Sequence, residues 1–480
     1  MHTETTISRQ AREDLFLRFK NRLETAYNLN RKVVSFQANK DEPFFRWFKY
    51  KEGFSSSLVK YFLQEYGGKG KRILDPFAGS GTTLFTAQEM GWQSVGIELL
   101  PVGVFAMQAR QSALNAPVEE VREYVNGFFN LLKTNPDIDF TKIKKHIHHI
   151  SITKDAFPKE TEEVLNLFLD FCNEIKNTHI QNLLLFAGFS VLEEISYTRK
   201  DGQYLRWDYR ADRNLSGKPF DKGIIFSFEE ALLRKINQIS VDVAPDNNGF
   251  LFDVAEKERK KPQHPLHIIE GSCLSELPKF ENEYFDFIVT SPPYCNRYDY
   301  TRTYALELVW LGLNSGQIRD LRQTMLSCTV ENKEKTEQLR AMYRSLEREK
   351  DYDKVFRTYN NSEAMSEVNM ALDELNRKKL LNNTNIPRMV KNYFFEMCFI
   401  VFELARITRS GGYCVMVNDN VRYGGEEIPV DLILSEFAEQ FGWSIEKLFV
   451  LPRGKGNSSQ QMGNYGRTEI RKSVYLWRKK

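Results

Sequence analysis

The stretch Arg72-Ile73-Leu74-Asp75-Pro76-Phe77-Ala78-Gly79-Ser80-Gly81-Thr82-Thr83 decides the fold. A short apolar strand ends at an acid and a proline, and two glycines follow before a helical stretch from Leu84 to Met90. Gly91 closes that helix, and a second run, Gln93-Ser94-Val95-Gly96-Ile97, ends at Glu98. Strand, glycine turn, helix, strand and terminal acid make a βαβ opening, the start of a parallel sheet. Glycines let the backbone approach a ligand, helix N–H groups face an anionic group, and the acid accepts ribose hydroxyls. This is the physics of a nucleoside-cofactor site.

Three cofactor classes share that logic. A phosphate-cradling loop needs a lysine before its Ser/Thr, and here Gly81 runs directly into Thr82-Thr83. The dinucleotide spacing needs a third glycine where Leu84 stands. S-adenosylmethionine fits: its carboxylate uses the glycine turn and its ribose uses Glu98.

Downstream, the apolar run Phe285-Asp286-Phe287-Ile288-Val289 stops at Thr290-Ser291-Pro292-Pro293-Tyr294. Consecutive prolines supply no N–H, so the ladder ends and a stiff loop begins. It begins at the carboxyl end of a strand, the edge where open α/β sheets bind ligands. A hydroxyl, outward carbonyls and a flat ring suit a planar heterocycle that carries an amino group. Alone, such a loop is more often a packing turn. The cofactor turn upstream supplies a group donor and reverses that reading.

D-P-F-A-G-S-G-T-T followed by G-I-E, with T-S-P-P-Y later, resembles the amino-directed DNA methyltransferases over about residues 40–102 and 265–480. The resemblance implies a Rossmann-like α/β methyltransferase fold, a mostly parallel seven-stranded sheet with a closing hairpin, plus inserted, mainly helical regions. It implies site-specific methyl transfer from S-adenosylmethionine to an exocyclic nitrogen of double-stranded DNA, within a restriction-modification system whose endonuclease acts separately. In that family the catalytic motif opens with Ser in most cytosine-N4 enzymes and with Asp or Asn in most adenine-N6 enzymes. Ser291 therefore implies cytosine N4. Adenine N6 is the nearest alternative; an RNA or protein-amide acceptor, or a non-catalytic DNA-binding subunit, stands further off.

By the same resemblance the catalytic residues are Ser291, Pro292, Pro293 and Tyr294. The cofactor residues are Asp75, Phe77, Ala78, Gly79, Ser80, Gly81, Thr82 and Glu98. The family often has Gly followed by Asp after the third strand; here Gly271-Ser272 stands instead, which leaves Ser272 as the candidate hydrogen-bonding group. No metal is needed. Cys295 follows Tyr294, whereas cytosine-C5 enzymes carry a Pro-Cys pattern, so Cys295 reads as a bystander. A base stacked in a duplex is out of reach, so the chemistry implies base flipping.

The rest of the chain divides around these motifs. Residues 1–102 hold the lead-in, with one helix expected around Arg9 to Leu29, and the cofactor half. Residues 103–262 form an inserted, mainly helical region, the candidate target-recognition domain. Residues 263–480 form the catalytic half, with a charged helical insertion at 314–385 that reads as solvated helix faces. A dense aromatic and basic run, Pro43 to Ser55, reads equally as packing or as ligand contact. The net charge of +3 is near neutral, so DNA contact requires local basic patches. Candidates are Arg199, Lys200, Gln203, Arg206 and Arg210 of the insertion, Arg297 and Arg302 after the catalytic loop, and Arg453, Lys455 and Arg467 between the last two strands. The six cysteines are scattered, without zinc spacing. With no signal peptide and no apolar run able to span a bilayer, the sequence reads as cytoplasmic, of bacterial or archaeal type.

Overall fold

A computed structural model describes residues 8–135, 137–202, 204–213, 218–243, 264–452 and 470–480. Within them lie β1 (Leu23–Thr25), β2 (Arg72–Asp75), β3 (Gln93–Glu98), β4 (Thr198–Asp201), β5 (Tyr204–Trp207), β6 (Leu266–Glu270), β7 (Phe285–Thr290), β8 (Thr408–Asp419), β9 (Val421–Tyr423), β10 (Glu426–Ile428), β11 (Trp443–Val450) and β12 (Lys472–Lys479). Eight of them form one sheet in the order β1-β11-β12-β8-β7-β2-β3-β6. Neighbouring strands are parallel except at β12, which runs against both β8 and β11. Seven strands thus make the expected sheet with its closing hairpin, β11 and β12.

β1 was not foreseen. The lead-in helix stops at Phe19, as Gln10–Phe19, and Leu23–Thr25 then pairs in parallel with Leu448–Val450. The hairpin would otherwise leave β11 as an open edge, and this short strand covers it.

The sheet's alternation shows that both faces are buried. Phe287, Val289, Val415, Val417, Val474 and Leu476 pack with Leu58, Phe62 and Leu63 of the helix Ser56–Tyr66. Their neighbours Ile288, Cys414, Met416, Tyr475 and Trp477 point the other way, against the long helix Ile386–Ile407 and the helix Val430–Gln440. The charged stretch 314–385 also joins that second layer. Its helices bury Leu339, Tyr343, Tyr352, Val355 and Leu372 there and turn their charges outward. The long helix ends at Ile407, and Gly411, at φ +81°, shapes the start of β8.

The insertion has a core of its own. Helices Val118–Thr134, Lys159–Asn173, Thr178–Ile195 and Phe228–Val243 bury Phe128, Phe168, Leu184 and Phe228 together with Trp47, Phe48 and Leu306. Much of the run Pro43–Ser55 is therefore packing. The indole Nε1 of Trp47 donates to Asp242 at 2.7 Å, tying the lead-in to the last inserted helix. One part of the insertion is not helical: β4 and β5 form a separate antiparallel hairpin.

Chain order places the site. From β2 the chain runs to β3 and β6 on one side, and then returns to β7 and β8 on the other. A crevice opens at such a reversal, beyond the strands' carboxyl ends. Asp75, Glu98 and Thr290 end the strands that border it.

Candidate active site

A cleft enclosing about 570 Å³, its open mouth included, lies at that reversal. Its walls include Asp75, Phe77, Ala78, Gly79, Ser80, Thr82 and Glu98 from the β2–β3 region, and Ser291 and Pro293 from the loop after β7. Two motifs more than two hundred residues apart therefore face one space. Asp75 joins them physically. Its Oδ1 accepts from the Thr290 hydroxyl at 2.8 Å and from the Phe77 N–H at 3.1 Å, and its Oδ2 accepts from the Thr83 hydroxyl at 2.7 Å. One buried carboxylate thereby pins the end of β2, the first turn of the helix Thr82–Glu89 and the last residue of β7. Burial raises its pKa to about 6, against the three donors that favour the anion.

The glycine turn is as tight as its composition demands. Gly79 has φ +55° and Gly81 φ +84°, and Gly81 stands just ahead of the helix. A Cβ on Gly79 would come 2.9 Å from the Tyr50 ring. Glu98 closes the turn from β3: its Oε2 accepts from the Gly79 N–H at 2.6 Å and its Oε1 from the Leu100 N–H at 2.7 Å. Each oxygen keeps acceptor capacity beyond that bond. Burial raises the Glu98 pKa to about 7, with a smaller push from Asp75. Behind the turn the buried Arg110 donates to the Ser80 carbonyl, and through Nε to the Phe44 carbonyl at 3.1 Å.

In the loop after β7, the Ser291 hydroxyl points at two acceptors, the Tyr294 oxygen and the Val417 carbonyl, each at 3.2 Å. Its own proton is thus used inside the protein, and its oxygen lone pairs remain to accept. Pro292 is buried, while Tyr294 is half-buried, its phenol held protonated by desolvation.

This geometry agrees with the chain's relatives. Residues 13–102 match the N6/N4 DNA methylase family. Over 464 residues, 96% of this chain and 92% of the relative, it is 46% identical to the type II methyltransferase M.AvaI of Nostoc sp., and equally to the M.AvaI of Anabaena variabilis. It is 42% identical over 473 residues, 95% of this chain and 90% of the relative, to M.BsoBI of Geobacillus stearothermophilus. The chain belongs to the type II DNA methyltransferases.

This methyltransferase family implies S-adenosylmethionine, and the cleft fits it. The cradle at Gly79 admits no Cβ, Glu98 offers free acceptor capacity to a ribose, and Phe54, Phe77 and Leu100 offer an apolar wall to a heterocycle. Ser272 does not line the cleft. It sits one strand over, where the Gly271 N–H donates to the Glu98 carbonyl at 3.0 Å, and its own carbonyl accepts from the Ser275 hydroxyl at 2.9 Å.

Sequence reasoning missed Tyr50, Glu52, Tyr300 and Met325 as cleft residues. The aromatic run Pro43–Ser55 was the available signal for the first two. Tyr50 stacks on Tyr304 at 5.3 Å, and the Tyr304 hydroxyl donates to Glu52 at 2.5 Å, so this wall is stiff. Nothing local marks Met325, which reaches the cleft from the end of a distant helix.

The basic candidates separate. Lys200 is buried and paired with Glu307, which holds the hairpin to the helix Ala305–Trp310. Arg210 is largely structural, donating to both oxygens of the buried Asp208 at 2.7 and 2.9 Å. Arg297 donates to the Asn382 side chain at 2.7 Å. Arg199, Arg206 and Arg302 are exposed. Gln203, Arg453, Lys455 and Arg467 lie outside the described residues. Among the described residues no acid, histidine or cysteine cluster has metal-binding geometry, and no helix is long and apolar enough to cross a membrane.

Proposed function

We propose that the protein transfers a methyl group from S-adenosylmethionine to the N4 amino group of cytosine in double-stranded DNA, as the modification enzyme of a restriction-modification system. The observation that carries the reading is the junction at Asp75, which holds the glycine turn and the Ser291 loop against one cleft. When bound, the cofactor supplies an electrophilic methyl on a sulfonium. The glycine turn and Glu98 hold its carboxylate and ribose ends. What remains for the chain is to present the amino nitrogen, which gives up one N–H proton to solvent as it takes the methyl and the donor leaves as the neutral thioether.

An exocyclic amino nitrogen is a poor nucleophile because its lone pair is delocalised into the ring. Ser291 Oγ and the Pro292 carbonyl act as acceptors for its N–H bonds and favour a pyramidal nitrogen. Because the Ser291 proton is directed to Val417 and Tyr294, the oxygen meets the amino group as an acceptor. Tyr294 stacks on the extruded base, and orientation in line with the methyl supplies most of the acceleration. Ser291 at the head of the motif favours cytosine over adenine, which is the second reading.

Incubation with methyl-labelled cofactor and, in separate arms, duplex DNA, RNA or protein tests the acceptor class. Label in DNA alone is the predicted result. Label in RNA or protein, or none in any arm with cofactor bound, contradicts it.

A further inference from the structure

Away from the cleft, a broad groove of about 2600 Å³, its open mouth included, runs between the β4–β5 hairpin and the helix Ser315–Thr324. Its lining carries Arg206, Arg213, Lys218, Arg302, Arg319 and Arg322 and not one carboxylate. The acids that do meet these cations stand behind them. The buried Asp299 faces both Arg302 and Arg322, at 3.1 and 3.0 Å, and Glu331 meets Arg302 at 2.9 Å, while Arg206 reaches Asp201 at 3.4 Å and Arg319 reaches Asp320 at 3.9 Å. Arg206–Asp201 and Arg319–Asp320 are exposed on both sides, and pairs of that kind are worth about 0–1 kcal/mol, so a phosphate displaces those acids readily.

The groove also keeps aromatic rings in water. Tyr204 is 58% and Tyr209 56% exposed. Arg206 lies over the Phe220 ring at 4.0 Å and Arg213 over Trp207 at 4.1 Å. A guanidinium stacked on a ring has a fixed plane and leaves its N–H edges free to donate. The walls are preformed. Asp208, fully buried, accepts from Arg210 and from the Lys222 N–H at 2.6 Å, and the Tyr209 N–H donates to the Phe220 carbonyl at 2.9 Å.

The short helix Tyr300–Thr303 connects this groove to the cleft. Tyr300 lines the cleft, and Arg302, on the same turn, lines the groove. The Thr301 hydroxyl between them accepts from Arg322 at 2.8 Å, fixing the groove wall to the helix.

We infer that this groove grips the phosphodiester backbone of the DNA duplex flanking the target base, with Arg206, Lys218 and Arg319 as phosphate contacts. The inference rests on the DNA reading above and locates the surface that carries it. Phosphate contacts position a duplex without reading its sequence. Their signature is salt dependence, because each neutralised phosphate releases counterions.

The test compares full-length wild type with the double variant Lys218→Ala/Arg319→Ala and with Arg206→Ala, none of which touches the cleft. Binding of a random-sequence duplex is followed by fluorescence anisotropy over a salt series, and methyl transfer to plasmid DNA is measured alongside. For the double variant the duplex Kd should rise about tenfold or more and the slope of log K against log salt should shrink by about two. The DNA KM should rise while kcat, cofactor affinity and Tm hold. Arg206→Ala should give the same pattern at about half the change in slope. Wild-type transfer to DNA with KM and salt slope unchanged in both variants overturns the groove alone. No transfer to DNA by wild type overturns the reading on which it rests, and the groove's role with it.

Discussion

One short helix, Tyr300–Thr303, gives Tyr300 to the cleft that holds the glycine turn and Arg302 to the basic groove, and the turn and the groove are built on opposite terms. In the turn, buried polar atoms are tied to each other: Asp75 to three donors, Glu98 to two backbone N–H groups, Ser80 to Arg110. In the groove, Arg206 and Arg319 are exposed and meet exposed acids at 3.4 and 3.9 Å, while Arg302 and Arg322 lean on the buried Asp299. A buried donor or acceptor that loses its partner keeps its desolvation cost, whereas an exposed one turns to water. Single substitutions should therefore act sharply in the turn and weakly in the groove.

The largest effect should come from Gly79→Val. A branched side chain at φ +55°, with the Tyr50 ring 2.9 Å from its Cβ, must displace the turn. Cofactor affinity measured by calorimetry should fall beyond detection, with folding largely retained. Next, Tyr294→Ala should lower kcat for DNA by about a hundredfold, the scale of losing a positioned reaction geometry, while cofactor affinity stays close to wild type. Equal loss of both would make the loop a structural element and dissolve the division of labour between it and the turn. Asp75→Ala should cost roughly 2–4 kcal/mol of stability in chemical denaturation, because it takes the acceptor from the buried Thr290 hydroxyl and the Phe77 N–H and leaves Thr83 only its longer bond to the Val289 carbonyl.

Glu98 adds a pH signature that the groove lacks. Its pKa stands near 7 in the fold against a usual 4.5, raised by burial. Folding without cofactor thus favours the protonated acid: that stabilisation is full below about 4.5 and is lost as pH rises through about 7. Cofactor binding to the carboxylate runs the other way. Affinity should drop about tenfold per pH unit below 7 and level off above it, and Glu98→Gln should flatten the profile. The smallest effect belongs to the groove: Arg319→Ala alone should change DNA KM only about two- to threefold, as expected for one exposed charge.

The same contrast explains what could be read in the chain. The turn was legible because backbone geometry forces its residue types, glycine at positive φ and an acid at the strand end. The sheet followed, since both late strands and the returning helices kept their apolar spacing. The Pro43–Ser55 run was ambiguous because one stretch does both jobs, Trp47 and Phe48 packing the insertion while Tyr50 and Phe54 face the cleft. The groove was only half legible. Arg206 and Lys200 sit on one hairpin with similar neighbours in sequence, but strand alternation sends Lys200 inward to Glu307 and leaves Arg206 in water. Arg319 and Arg322 come from a helix whose spacing says only that it has an exposed face. Edge strand β1 left no signal, being three residues whose partner lies over four hundred positions away.

In the proposed reaction the Ser291 loop presents the N4 of cytosine to the methyl donor. That step is tested most directly by digesting DNA methylated by the purified protein to nucleosides and identifying the product by mass spectrometry. N4-methylcytosine is the expected product. N6-methyladenine would contradict it, and would show that Ser291 serves an adenine amino group.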